Sequence, residues 1–134
     1  MASLLLDTHV LVWWRIDSSR LSAAQSRALD DMEKRGNRAA ISSITIWELA
    51  KMYELGRLQV SLSLDAWLEE LETDPLLTVL PLTARIAAES IRLGPSFHKD
   101  PADQIIVATA RCHGLRLVTN DERIHRWGKV SLLM

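Results

Sequence analysis

Short apolar runs alternate along this chain with longer stretches of helical periodicity, and few folds accommodate that alternation. Residues 4–6, 38–42, 76–80 and 115–119 are each too short to be a helix, and the first, third and fourth end at Asp7, Pro81 and Asn120. Runs without polar alternation are what strands buried on both faces show, so they predict a parallel sheet covered by crossover helices. The segments between them carry helical spacing. Residues 8–16 are very apolar, and residues 22–36 open with a capping box, Ser22 and Gln25, ahead of a stripe of Ala24, Ala28, Leu29 and Met32. Residues 43–55 carry a helically spaced apolar set, Ile44, Trp47, Met52 and Leu55, residues 63–72 place Leu64, Trp67, Leu68 and Leu71 inward, and residues 83–93 are again helical. Residues 130–133 read as a fifth, edge strand. The expectation is an α/β fold with a short parallel sheet of four to five strands flanked by helices. At 134 residues with 48% hydrophobic content, it forms a single domain over residues 1–134.

The stretch 97–110 fixes one helix closely. Asp100 is a good N-cap, Pro101 suits the first helical position where its missing N–H costs nothing, and Asp103 falls at the third. Small and apolar residues follow from Ile105 to Ala110, and Gly114 supplies a left-handed C-terminal cap. This is a buried helix whose first turn is acidic. Acids in a first turn complement the helix dipole, and for a single Asp that suffices as an explanation.

Further acids share the same predicted rim. Asp7 and Asp121 follow apolar strands at the carboxyl edge of the sheet, and Glu48 and Asp103 lie near the starts of helices that begin at that edge in right-handed crossovers. Each has a local alternative: a turn residue at Asp7, an Asx turn at Asp121, and at Glu48 the far half of a capping box begun by Thr45. Together they place four carboxylates in one crevice, where mutual repulsion calls for a cation; removing one of them, Asp121, should then relieve charge strain. Oxygen donors without a Cys or His cluster select a hard ion, Mg²⁺ or Mn²⁺, able to polarise a phosphoryl oxygen and activate a water. His9, His98, His113 and His125 show no metal-binding spacing and are left out of the predicted site.

A formal charge of -1, from 16 basic and 17 acidic side chains, gives no sign of a generally basic nucleic-acid binder, so any polyanion must be held locally. Cys112 is the one cysteine, which excludes an internal disulfide and suits a reducing compartment. Asp7 interrupts any signal-like apolar segment and no run approaches a membrane span, so a cytoplasmic protein without membrane association is expected.

Four ordered motifs carry a resemblance over nearly the whole length: Leu-Leu-Leu-Asp-Thr-His at 4–9, Ile-Ser-Ser-Ile-Thr-Ile-Trp-Glu-Leu at 41–49, His-Lys-Asp-Pro-Ala-Asp-Gln-Ile-Ile-Val-Ala-Thr-Ala at 98–110 and Leu-Val-Thr-Asn-Asp at 117–121. With these the chain resembles the PIN domain, and more closely the VapC-type toxins of bacterial toxin–antitoxin pairs. The resemblance implies a three-layer PIN-like fold and a metal-dependent endoribonuclease. It places Asp7, Glu48, Asp103 and Asp121 in the acidic positions, with Asp100 as an auxiliary or capping acid. It also implies an RNA substrate, a homodimer and a small antitoxin that blocks the site. Related sequences commonly carry Arg where this one has Gln104, a departure that bears on substrate or antitoxin contacts. A haloacid-dehalogenase-like phosphatase needs a second Asp where His9 stands. A catalytically silent PIN-like module that binds RNA or protein is the remaining alternative; lost acids would mark it, and none is lost. Trp13 and Trp14, about 100° apart on one helix, cannot both face the same sheet, so one is expected at a groove or protein–protein surface.

Overall fold

The strand that anchors the molecule is β1 (Ala2–Leu6), whose Leu4, Leu5 and Leu6 are all buried. The computed structural model describes residues 2–134. β1 leads directly into α1 (Thr8–Ile16), a short 3₁₀ turn (Ser18–Arg20) and α2 (Ala23–Lys34). Then follow β2 (Arg38–Ser42), α3 (Ser43–Glu54), α4 (Leu64–Thr73), β3 (Leu77–Leu80) and α5 (Ala84–Ser90). The chain closes with α6 (Pro101–His113), β4 (Arg116–Val118) and α7 (Glu122–Trp127).

All neighbouring strands are parallel, in the order β3-β2-β1-β4. Successive strands step outward from β1 to β3, and the chain then returns through α6 to place β4 on the other side of β1. The order therefore reverses at β1, and the crevice of such a sheet opens beyond the carboxyl ends of β1 and β4. Their register, Leu4 beside Arg116 through Leu6 beside Val118, brings both strands to an end together. One more ladder bond, from the Asp7 N–H to the Val118 carbonyl at 3.0 Å, holds the two exits side by side.

Side-chain alternation divides the core into two layers. Leu4, Leu6, Ala39, Ile41 and Val118 pack with Val10 and Leu11 of α1, Leu29 and Met32 of α2, Leu49 of α3, and Trp67 and Leu71 of α4. Leu5, Ala40 and Leu117 face the other way, onto Phe97, Ile106, Val107 and Ala110 of the α6 region and Ile124 of α7. This is a three-layer α/β arrangement, as expected. Each fully buried Leu or Ile contributes about 1.5–3 kcal/mol relative to exposure, so the sheet is fixed chiefly by these two layers.

Two expectations change and one local alternative falls. The fifth strand is a single parallel bridge, Leu117 with Leu132, held by Leu117 N–H to Ser131 O at 2.8 Å and Leu133 N–H to Leu117 O at 3.0 Å. Trp47 and Leu55 of the α3 region do not face inward: they are 58% and 56% exposed, and Ile46, Leu49, Met52 and Tyr53 pack on the core instead. Thr45 opens no capping box, because Ser42 caps α3 by accepting from the Ile44 N–H at 3.2 Å. The Ser22–Gln25 box at α2 has both of its bonds, at 3.1 and 3.0 Å. α7 was not foreseen: its six residues contain one fully buried side chain, Ile124, too little to show a period.

Candidate active site

The crevice beyond β1 and β4 is lined by carboxylates because the residues that end its strands also start its helices. Asp7 is the N-cap of α1: one carboxylate oxygen accepts from the Thr8 N–H at 2.8 Å, and the other from the Thr119 hydroxyl at 2.6 Å. Thr119 lies just past β4 and its hydroxyl oxygen accepts from the Asp121 N–H at 3.1 Å, so one side chain ties the two strand exits together. Asp7 is only 8% exposed, and burial pushes its carboxyl above the ordinary value against the opposing pull of these two donors.

Glu48 enters from α3 through a chain of hydroxyls. Thr8 Oγ1 lies 2.5 Å from Glu48 Oε1 and 2.9 Å from Thr45 Oγ1. A hydroxyl has one proton, so Thr8 donates to the carboxylate and accepts from Thr45, which fixes Glu48 from beneath. Partial burial raises the Glu48 pKa most, and the charges of Asp7, Asp103 and Asp100 raise it further.

Asp103 sits in the first turn of α6, whose N-cap is Asp100, accepting from the Ala102 N–H at 3.0 Å. Gly114 closes that helix with φ of 64°, in the left-handed region expected for it. Burial again raises the Asp103 pKa, opposed by a hydrogen bond with His98, whose Nε2 is 2.7 Å from Asp103 Oδ2. His98 is oriented by the Phe97 ring stacked on it at 4.4 Å. Gln104 donates to the His98 carbonyl at 3.3 Å and so helps to hold the loop before α6. Asp121 is different in kind. It is the N-cap of α7, accepting from the Arg123 N–H at 2.8 Å, and the Arg123 guanidinium reaches its two oxygens at 3.2 and 2.8 Å. These hydrogen bonds hold the Asp121 carboxyl below the ordinary range. The same guanidinium lies 3.6 Å from Asp103.

All four predicted acids, together with Asp100, line one cleft of about 320 Å³ that also contains Thr8, Trp13, Asn120 and Arg123. Among the described residues His98, Asp103 and Asp121 bring their donor atoms within 4.8 Å of one another, close enough to share a metal ion. Two residues absent from the predicted site thus belong to it. His98, left out because the histidines show no metal-binding spacing among themselves, is drawn in by the Asp103 carboxylate instead, and Arg123 escapes sequence reasoning because α7 is invisible in the pattern. A donor set dominated by carboxylate oxygen, with like charges raising the pKa of one another, fits a hard divalent ion. Trp13 is half-buried at the cleft with Arg20 over its ring at 5.0 Å, while Trp14 packs on the core, its ring covered by Arg15 at 4.2 Å.

The sequence matches the family model described as PIN domain over residues 4–130. It is 38% identical over 124 residues to Ribonuclease VapC22 of Mycobacterium tuberculosis, covering 92% of this chain and 91% of that one. Among solved structures, FitAcB from Neisseria gonorrhoeae superposes with a TM-score of 0.67 at 25% identity, covering 98% and 96% of the two chains. VapBC2 from Rickettsia felis, bound to a promoter DNA fragment, superposes with a TM-score of 0.70 at 20% identity, covering 96% of each.

Proposed function

We infer the function from one premise: this chain belongs to the PIN domain family. Within it, the protein is a metal-dependent endoribonuclease that hydrolyses RNA phosphodiester bonds and serves as the toxin of a toxin–antitoxin pair in the cytoplasm. The observation that carries this reading is the convergence of Asp7, Glu48, Asp103 and Asp121 on one cleft at the point where the strand order reverses. Burial disfavours ionisation of three of them, a cost the fold alone has no reason to bear. The relative named a ribonuclease supports the same conclusion, as does a solved toxin–antitoxin complex from Klebsiella pneumoniae that superposes with a TM-score of 0.60 at 25% identity, covering 89% and 87% of the two chains.

Asp7, Glu48, Asp103 and Asp121 would hold Mg²⁺ or Mn²⁺, with Asp100 adding negative potential from the helix cap. When bound, such an ion supplies Lewis acidity to a phosphoryl oxygen and to a water. The remaining work falls to the chain. Thr8 and Thr119 fix the Glu48 and Asp7 carboxylates by donating to them. With Oε1 of Glu48 held by Thr8, Oε2 is the oxygen left to face the ion. Arg123 neutralises Asp121 and stands ready for a phosphate oxygen. The partners are RNA, a second copy of the chain in a homodimer, and an antitoxin whose basic residue pairs with the acids and competes with the ion.

Purified protein should cut single-stranded or looped RNA with Mg²⁺ or Mn²⁺ and lose that activity in EDTA. Asp7→Asn and Asp103→Asn should each reduce the rate by at least about 100-fold with the circular dichroism spectrum unchanged. Equal cleavage in EDTA would overturn the metal-dependent reading. Tight RNA binding without cleavage under any divalent ion would instead identify a silent RNA-binding module.

A further inference from the structure

Beside the acidic cleft lies a second one of about 600 Å³ with the opposite charge. It is lined by Lys99, Arg123, Arg126 and Lys129, with Phe97, His98 and Trp127, and among the described residues no carboxylate lines it. In a chain of formal charge -1 this is a local concentration of cations of the kind that composition conceals. Arg123 is common to both clefts, and His98 of the basic one bonds to Asp103 of the acidic one, so the two are continuous.

The cations are placed by local structure. Arg123 and Arg126 are three residues apart on α7 and so share a side of it. Gly128, at φ of 66°, ends α7 just before Lys129, and Lys99 precedes the cap of α6. Among the described residues Lys99, Arg126 and Lys129 are exposed and take part in no ion pair, whereas Arg15, Lys51, Arg111 and Arg123 do. Three unpaired cations beside a half-buried indole resemble the surfaces on which single-stranded nucleic acid is held, by phosphate neutralisation and ring contacts together. We propose that this cleft carries the sugar–phosphate backbone of single-stranded RNA next to the scissile bond. The proposal rests on the ribonuclease reading and adds the path of the substrate to it. An extended polyanion would be repelled from the acidic cleft by itself, and the adjoining positive potential offsets that repulsion where the strand enters.

The test is the salt dependence of binding, measured by fluorescence anisotropy of a labelled single-stranded RNA on full-length Asp7→Asn protein with Mg²⁺. Asp103→Asn serves as a second background should Asp7→Asn fail to fold. Each of Lys99→Ala, Arg126→Ala and Lys129→Ala should raise Kd and reduce the slope of log K against log salt by about 0.7, the contribution of one phosphate on a single strand. Arg27→Ala and Arg35→Ala, in the basic cleft at the opposite edge of the sheet, should change neither. Unaltered slopes in the first set, or equal losses in both sets, would overturn the proposal. So would polyglutamate binding as tightly as RNA of the same length, which would make the cleft a site for an acidic protein segment. Failure of the ribonuclease reading looks different: wild-type protein would bind RNA through these cations and never cut it.

Discussion

At the scale of single residues, the carboxylates that share the cleft are not equivalent. Asp7, Glu48 and Asp103 are raised in pKa chiefly by burial, while Asp121 is lowered by the Arg123 guanidinium. Charge relief therefore belongs to the first group. Mutual repulsion alone had pointed to Asp121, but its capping bond to Arg123 and its ion pair make it a stabilising residue. In metal-free protein Glu48→Gln, which keeps the oxygen that accepts from Thr8, should raise Tm by about 2–4 °C, and Asp121→Asn should leave it level or lower it. Differential scanning calorimetry in EDTA decides the order, and a larger gain for Asp121→Asn would remove the distinction. The acids themselves were legible in the sequence because Asp7 and Asp121 follow strands, Asp103 lies in the first turn of a helix, and Glu48 lies in the second turn of another that starts at the same edge. Their hydroxyl partners were not, since Thr8 meets Thr45 and Glu48 across sequence separations of 37 and 40.

At the scale of elements, whatever is set by neighbours in sequence could be read. Asp100, Pro101 and Gly114 delimit α6, Ser22 and Gln25 start α2, and the apolar runs mark the strands, because caps and strand burial are local properties. What depends on a distant surface could not. The stripe of α3 was assigned to Trp47 when Ile46, Leu49, Met52 and Tyr53 pack inward, and helical spacing alone does not say which of two overlapping stripes meets the sheet. The paired indoles of α1 do divide as geometry requires. Trp14 packs on the core, so Trp14→Ala should lower stability by roughly 2 kcal/mol, less than the loss for a fully buried Trp, with partner binding intact. Trp13 lines the acidic cleft, so Trp13→Ala should weaken association with the proposed antitoxin at little cost in Tm. Calorimetry and titration of both variants separate these outcomes, and equal stability losses with unchanged association would place the interface elsewhere.

At the scale of the whole molecule, four parallel strands whose order turns back at β1 bring acids from widely separated motifs to one edge. On the proposed reading, a cation balances the charge that this edge then carries. A pKa raised in the folded state means that the folded state binds the proton more tightly. Asp7, Glu48 and Asp103 therefore cost stability when ionised, and that cost is relieved as pH falls from neutrality towards their ordinary values of 3.8, 4.5 and 3.8. Asp121 works in the opposite sense, but its contribution is lost only at lower pH, through its depressed value. The measurement that bears most directly on the cation-bound centre is Tm against pH from neutral to mildly acidic, with EDTA and with Mn²⁺. Metal-free protein should gain stability on mild acidification. Mn²⁺ should raise Tm most at neutral pH and progressively less as the acids take up protons. A Tm indifferent to Mn²⁺ at every pH, with no gain on acidification in EDTA, would contradict a carboxylate centre built to hold a divalent ion.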